Sequence, residues 1–63
     1  MNHATLLIVE DDGILAANLE DIVLHLGYAV LGPVATGEEA IAALDAHQAD
    51  LVLMDIELAG ALN

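Results

Sequence analysis

The sequence predicts an α/β domain built on a small parallel sheet, and three observations carry that reading. Short apolar runs alternate along the chain with stretches of helical apolar spacing, in the order strand, helix, strand, helix, strand. Such alternation is the pattern of a parallel sheet joined by right-handed crossovers. The apolar runs are continuous rather than alternating, as expected of strands covered on both faces. Two of them, "LLIV" and "LVLM", pass directly into acids, Glu10 and Asp55. A carboxylate at the end of a buried strand is costly unless something requires it there.

The elements follow in order. Thr5 to Val9 reads as the first strand, and Gly13 after the acids permits a turn. From Ile14 to Leu26 apolar residues recur at helical spacing, at Leu15, Leu19, Ile22, Val23 and Leu26. Gly27 stands where a glycine ends a helix. Tyr28 to Val34 is β-branched and apolar, a second strand, and Pro33 near its end suits a sheet edge. Thr36 is a suitable N-cap, with Glu38 and Glu39 adding negative charge to the first turn of a second helix. That helix is expected to reach about His47, with Ala40, Ile41 and Leu44 on its inner face. Leu51 to Met54 is a third short strand.

Sixty-three residues allow one small domain. A chain of this length buries only about 60% of the surface that its unfolded form exposes, so it is marginal alone. Cysteine is absent, which excludes a disulfide staple or a thiolate metal site. Eleven acids and no Lys or Arg give a net charge of −11. That balance excludes nucleic-acid binding through this segment, because phosphate contacts need basic groups. It disfavours anionic membranes for the same reason. Divalent cations and basic protein surfaces are the favoured partners. No apolar run approaches the ~20 residues of a membrane span, and no positive n-region marks a signal peptide, so the expected location is the cytoplasm.

In an open parallel sheet, ligands bind outside the carboxyl ends of the strands, where strand order reverses. Glu10, Asp11 and Asp12 follow the first strand, and Asp55 follows the third. If those strands are neighbours, with the second on the other side of the first, the acids meet at one edge and the order is 2-1-3. Clustered carboxylates repel unless a cation lies among them. Mg²⁺ takes oxygen ligands, usually one or two carboxylates with waters and phosphate oxygens. An Asp carboxylate can also act as a nucleophile and form an aspartyl phosphate. The plain alternatives are a strand-end acid facing solvent for Asp55 and a solvated turn for Glu10 and Asp11. Asp12 is expected to cap the first helix.

The stretches "LLIVEDDG", "GYAVLGPVATGEEAIAAL" and "ADLVLMDIELAG" resemble the receiver domain of two-component response regulators. The resemblance covers nearly all of residues 1–63 but only about the first half of the family's domain, whose five strands run 2-1-3-4-5, the flavodoxin-like order. It implies a flavodoxin-like receiver fragment, β-α-β-α-β, with the first three strands and two helices. It implies that Asp55 is the phosphoacceptor, that Glu10 and Asp11 hold Mg²⁺ (Mn²⁺ as a substitute) together with Asp55, and that Glu57 contributes its backbone carbonyl. The phosphoryl donor would be a sensor histidine kinase, and the domain a phosphotransfer acceptor rather than a turnover enzyme.

Receivers also carry a switch Thr or Ser after strand four and a Lys after strand five. This sequence shows neither, and Ala59 stands where the family often has Pro. Impaired phosphorylation is therefore expected. Thr36 belongs to a different loop and is read as a cap. Two further functions compete. One is a non-catalytic interaction or assembly half-domain with a vestigial acidic site; a homo-oligomer through the edge of strand three is expected whichever function holds. The other is a metal-dependent phosphohydrolase, a class that usually places a second Asp two residues after its nucleophile. Glu57 occupies that position here.

Overall fold

The computed structural model describes residues 4–54. Within them the chain forms β1 (Thr5–Val9), α1 (Gly13–His25), β2 (Ala29–Val34), α2 (Gly37–Ala46) and β3 (Leu51–Met54). The three strands make one parallel sheet in the order β2-β1-β3, as expected. Leu6 to Val9 pair in unbroken register with Leu51 to Met54. Pro33 lies in β2 at the sheet edge, where its missing N–H costs no ladder bond. Among the described residues no helix is long and apolar enough to cross a membrane.

β1 organises the core because its side chains alternate between the two faces. Leu6 and Ile8 join Val23 of α1, with Leu19, Tyr28 and Val30 packed around them. Leu7 and Val9 join Ala40 of α2, with Leu31, Val34, Ala43 and Met54 among their neighbours. Leu7 and Ile8 are wholly buried. This accounts for the continuous apolar run, since neither face of β1 is available to a polar residue.

The helix faces meet expectation in part: Leu19, Val23 and Ala40 pack inward, and the other expected residues do not. α1 meets the sheet through Ala16, Leu19 and Val23, while Leu15, Ile22 and Leu26 are exposed. α2 turns Gly37, Ala40 and Ala43 inward and leaves Ile41 and Leu44 exposed. The reason is close approach. Residues three and four apart share a helix face, and on α2 that row is Gly37, Ala40 and Ala43, which lets the helix lie near the strands.

The helix ends follow the expected chemistry. The Asp12 carboxylate accepts the N–H groups of Ile14 at 2.9 Å and Leu15 at 3.1 Å, capping α1. At the other end Gly27 has φ +94°. Its N–H donates to the Leu24 carbonyl and that of Tyr28 to the Val23 carbonyl, the paired bonds of a Schellman motif. Thr36 caps α2 by accepting the Glu39 N–H at 3.1 Å, and its hydroxyl donates back to the Glu39 carboxylate at 3.2 Å. Asp50 ties β3 to β1: its carboxylate accepts the Thr5 N–H at 2.7 Å and its own N–H donates to the Thr5 carbonyl at 2.8 Å.

β2 is irregular at one point. Leu7 pairs with Leu31, but Val9 pairs with Val34, so β2 carries one extra residue between them. The Gly32–Pro33 peptide there is cis, and Gly32 has φ +89°, a region open to glycine and costly for L side chains.

Candidate functional site

The carboxyl ends of β1 and β2, with the start of α1, enclose an open groove of about 350 Å³. Its walls are small and apolar, from Ala16 and Ala17 on one side and Pro33, Val34 and Ala35 on the other. Three carboxylate residues line it: Glu10, Asp11 and Glu20.

The three consecutive acids after β1 occupy different environments. Glu10 is 6% exposed and continues the strand direction. Its backbone N–H donates to the Val34 carbonyl at 2.9 Å, and its Oε1 accepts the Asp12 N–H at 3.1 Å. Both bonds restrict where this carboxylate can sit. Asp11 is exposed at the groove, and the Asp12 side chain is engaged in the helix cap. The local sequence explains the split. A strand buried on both faces carries Glu10 into the interior, and Gly13 begins the helix that Asp12 caps.

Glu20 was not read from the sequence as part of this constellation. It lies two turns along α1, half-buried, in the same groove as Glu10 and Asp11. Helical register could have suggested it, since Glu20 lies four residues after Ala16 on one face, but no local motif marks it. Val34 was likewise read only as strand, although its carbonyl holds the Glu10 amide.

The oxygen donors of Glu10 and Asp11 suit a hard divalent cation. The sequence contains no Lys or Arg. Among the described residues no group of three His, Asp or Glu side chains is placed to hold a metal. Asp55 and Glu57, the other expected donors, lie outside the described residues. Met54, the last residue of β3, pairs with Val9, the residue before Glu10. His25 and His47 are elsewhere. His25 ends α1 with Nδ1 2.8 Å from the Asp21 carbonyl oxygen and 3.7 Å from its carboxylate, and His47 caps the end of α2.

Comparison with known proteins agrees with this architecture. The family model described as "Response regulator receiver domain" matches residues 6–62. The transcriptional regulatory protein PdtaR of Mycobacterium tuberculosis, strains CDC 1551 / Oshkosh and ATCC 25618 / H37Rv, is 33% identical to this chain over 52 residues. Those residues are 82% of this chain and 25% of each relative. The match thus spans about a quarter of the length of the curated relatives. No solved structure matches the chain at comparable stringency. A parallel β-α-β-α-β unit ordered β2-β1-β3, acids at the end of β1 and a family match over residues 6–62 lead to one conclusion: the chain belongs to the response regulator receiver domain family.

Proposed function

We propose that the chain is a phosphoacceptor receiver module, with Asp55 taking a phosphoryl group from a phosphohistidine on a sensor histidine kinase. The observation that carries this reading is the pairing of Val9 with Met54. Asp55 is the next residue after Met54, and Glu10 the next after Val9. In a parallel ladder, residues that follow paired positions leave the sheet at the same end.

In this reading an Asp55 carboxylate oxygen attacks phosphorus. A P–O bond forms as the P–N bond of the phosphohistidine breaks, and the electron pair of that bond returns to the imidazole. Glu10 and Asp11, with Asp55 and the backbone carbonyl of Glu57, are the proposed holders of Mg²⁺ or Mn²⁺. When bound, such an ion supplies positive charge facing the phosphoryl oxygens. Glu10 contributes a buried carboxylate held by its neighbours, while Asp11 contributes an exposed one that can exchange water for a ligand. The module is proposed to be cytoplasmic and to act as an acceptor rather than as a turnover enzyme. The relatives' name makes gene regulation the proposed output of the pathway.

The test is labelling with acetyl phosphate and Mg²⁺, read by mass after reductive trapping of the acyl phosphate. Slow, Mg²⁺-dependent labelling confined to Asp55, and lost in Asp55→Asn, is expected. It should be slow because this chain has no Lys to neutralise the transferring group. Label on other carboxylates, or label that persists in Asp55→Asn, overturns the reading.

A second reading is favoured by one observation. Leu51, Val52 and Leu53 of β3 are 49%, 46% and 38% exposed. An apolar strand with an open edge is a template for pairing. In this reading the unit is a non-catalytic assembly piece that forms homo-oligomers through β3.

A further inference from the structure

We propose that Gly32 is a positioning residue for the acidic site, acting through the bulge in β2. The inference rests on the reading of Glu10 and Asp11 as cation ligands and extends it to a residue that touches neither phosphate nor metal.

The bulge changes what β2 presents. Leu31 and Val34 both pack on the α2 side of the sheet, with Leu7, Val9 and Ala40. They are three residues apart, and in a regular strand residues at odd spacing face opposite sides. The extra residue at Gly32–Pro33 reverses the alternation, so that Val34 enters the core. The same shift brings the Val34 carbonyl to the Glu10 N–H at 2.9 Å. Without it, Val9 would pair with Pro33, and the carbonyl opposite Glu10 would belong to a different residue.

Only glycine fits the turn. A Cβ at position 32 would lie 2.9 Å from the Val34 nitrogen and 3.2 Å from the Ile8 carbonyl oxygen, both backbone atoms. Neither can swing aside as a side chain can, and φ +89° adds strain for any L side chain. Relief therefore requires movement of Val34 or Ile8. Val34 holds the Glu10 amide, and Ile8 is two residues before Glu10 on the same strand. Either movement displaces Glu10, and with it the chain that continues into Asp11. Support one step removed from a metal ligand is commonly needed for full affinity.

Mn²⁺ titration of the protein, followed by NMR broadening at residues 10–12, tests the proposal. Three forms are compared: the parent, Gly32→Ala, and Val23→Ala as a core-destabilised control in the last turn of α1. Gly32→Ala should weaken Mn²⁺ binding about tenfold, the scale seen when support behind a ligand is lost. Val23→Ala should stay within about twofold of the parent once the folded fraction is allowed for. Equal loss in both variants, or none in Gly32→Ala, overturns the proposal. If Gly32→Ala does not fold, hydrogen exchange in the parent decides. Coupling between the bulge and the site is reciprocal, so Mg²⁺ should raise protection of the Glu10 amide above any change at Leu6. Equal change at both amides overturns it. A parent protein whose broadening is spread equally over Glu20, Asp45 and Asp50 overturns the cation reading itself, and this inference with it. Intact parent binding with an unaffected Gly32→Ala overturns the inference alone.

Discussion

β1 and β3 are written in nearly the same letters, "LLIV" and "LVLM", and each runs into an acid. They pair with each other residue for residue. Yet the four apolar residues of β1 are 0–9% exposed, whereas Leu51, Val52 and Leu53 are 38–49% exposed. The difference lies in their neighbours. β1 has a strand on each side and a helix on each face, and β3 has one strand neighbour among the described residues. Apolar composition thus marks a segment that is suited to burial, while position in the sheet decides how much burial it obtains.

The sharpest way to break that comparison is to truncate equivalent residues on the two strands. Ile8, wholly buried, pairs with Leu53, which is 38% exposed. Ile8→Ala should cost about 2–5 kcal/mol, enough to unfold a domain this small. Leu53→Ala should cost about 1 kcal/mol, because much of its surface is already in water. Urea unfolding monitored by circular dichroism reads both, and equal losses would show that β3 is as covered as β1 in solution.

A smaller effect is expected where the two strands begin. Asp50→Ala removes the acceptor of the Thr5 N–H and should cost about 0.5–1.5 kcal/mol, a typical net value for a hydrogen bond. Its mark is positional: exchange should accelerate at Thr5 more than at Glu10. Uniform acceleration along β1 would mean that Asp50 acts on global stability and not on the register of β3.

The helix caps give an effect of similar size, independent of either strand. Asp12→Ala should cost about 0.5–2 kcal/mol through lost bonds to Ile14 and Leu15, and Asp12→Asn should restore most of it. If Asp12→Ala instead abolishes Mn²⁺ broadening at Glu10 and Asp11 while α1 remains folded, Asp12 belongs to the site as well as to the cap.

The smallest effect concerns association through β3. Val52→Lys places a charge on a 46% exposed strand position and should weaken concentration-dependent self-association in analytical ultracentrifugation. It also reduces the charge of −11 and so the repulsion between copies. Weaker association despite lower repulsion would assign the contact to the strand. A parent protein that is monomeric at every concentration removes the assembly reading.

Most of the fold was legible because local chemistry and topology agree. Val9 and Met54 end apolar runs, Asp12 and Thr36 cap, Gly27 terminates, and Pro33 points to an edge. Each is a short-range statement about backbone hydrogen bonds or φ, and the structure bears each out. The packing faces of the helices were less legible. Ile41 and Leu44 have the larger apolar side chains, but Ala40 and Ala43 make the contact. The choice between adjacent rows depends on how closely a helix approaches the sheet, and no window of sequence contains that distance.

The candidate site divides the same way. By itself the sequence determined the order of the elements, the run of acids after β1, the absence of Lys and Arg, and the caps that begin each helix. These depend on residue type and on neighbours within a few positions. Only the tertiary structure decided that Glu10 is buried while Asp11 is exposed, that Glu20 shares their groove, and that Val34 holds the Glu10 amide. The last two join residues 9 to 24 positions apart. The Val34 bond goes with one extra residue in β2, whose effect appears only when β1 lies beside it to set the register.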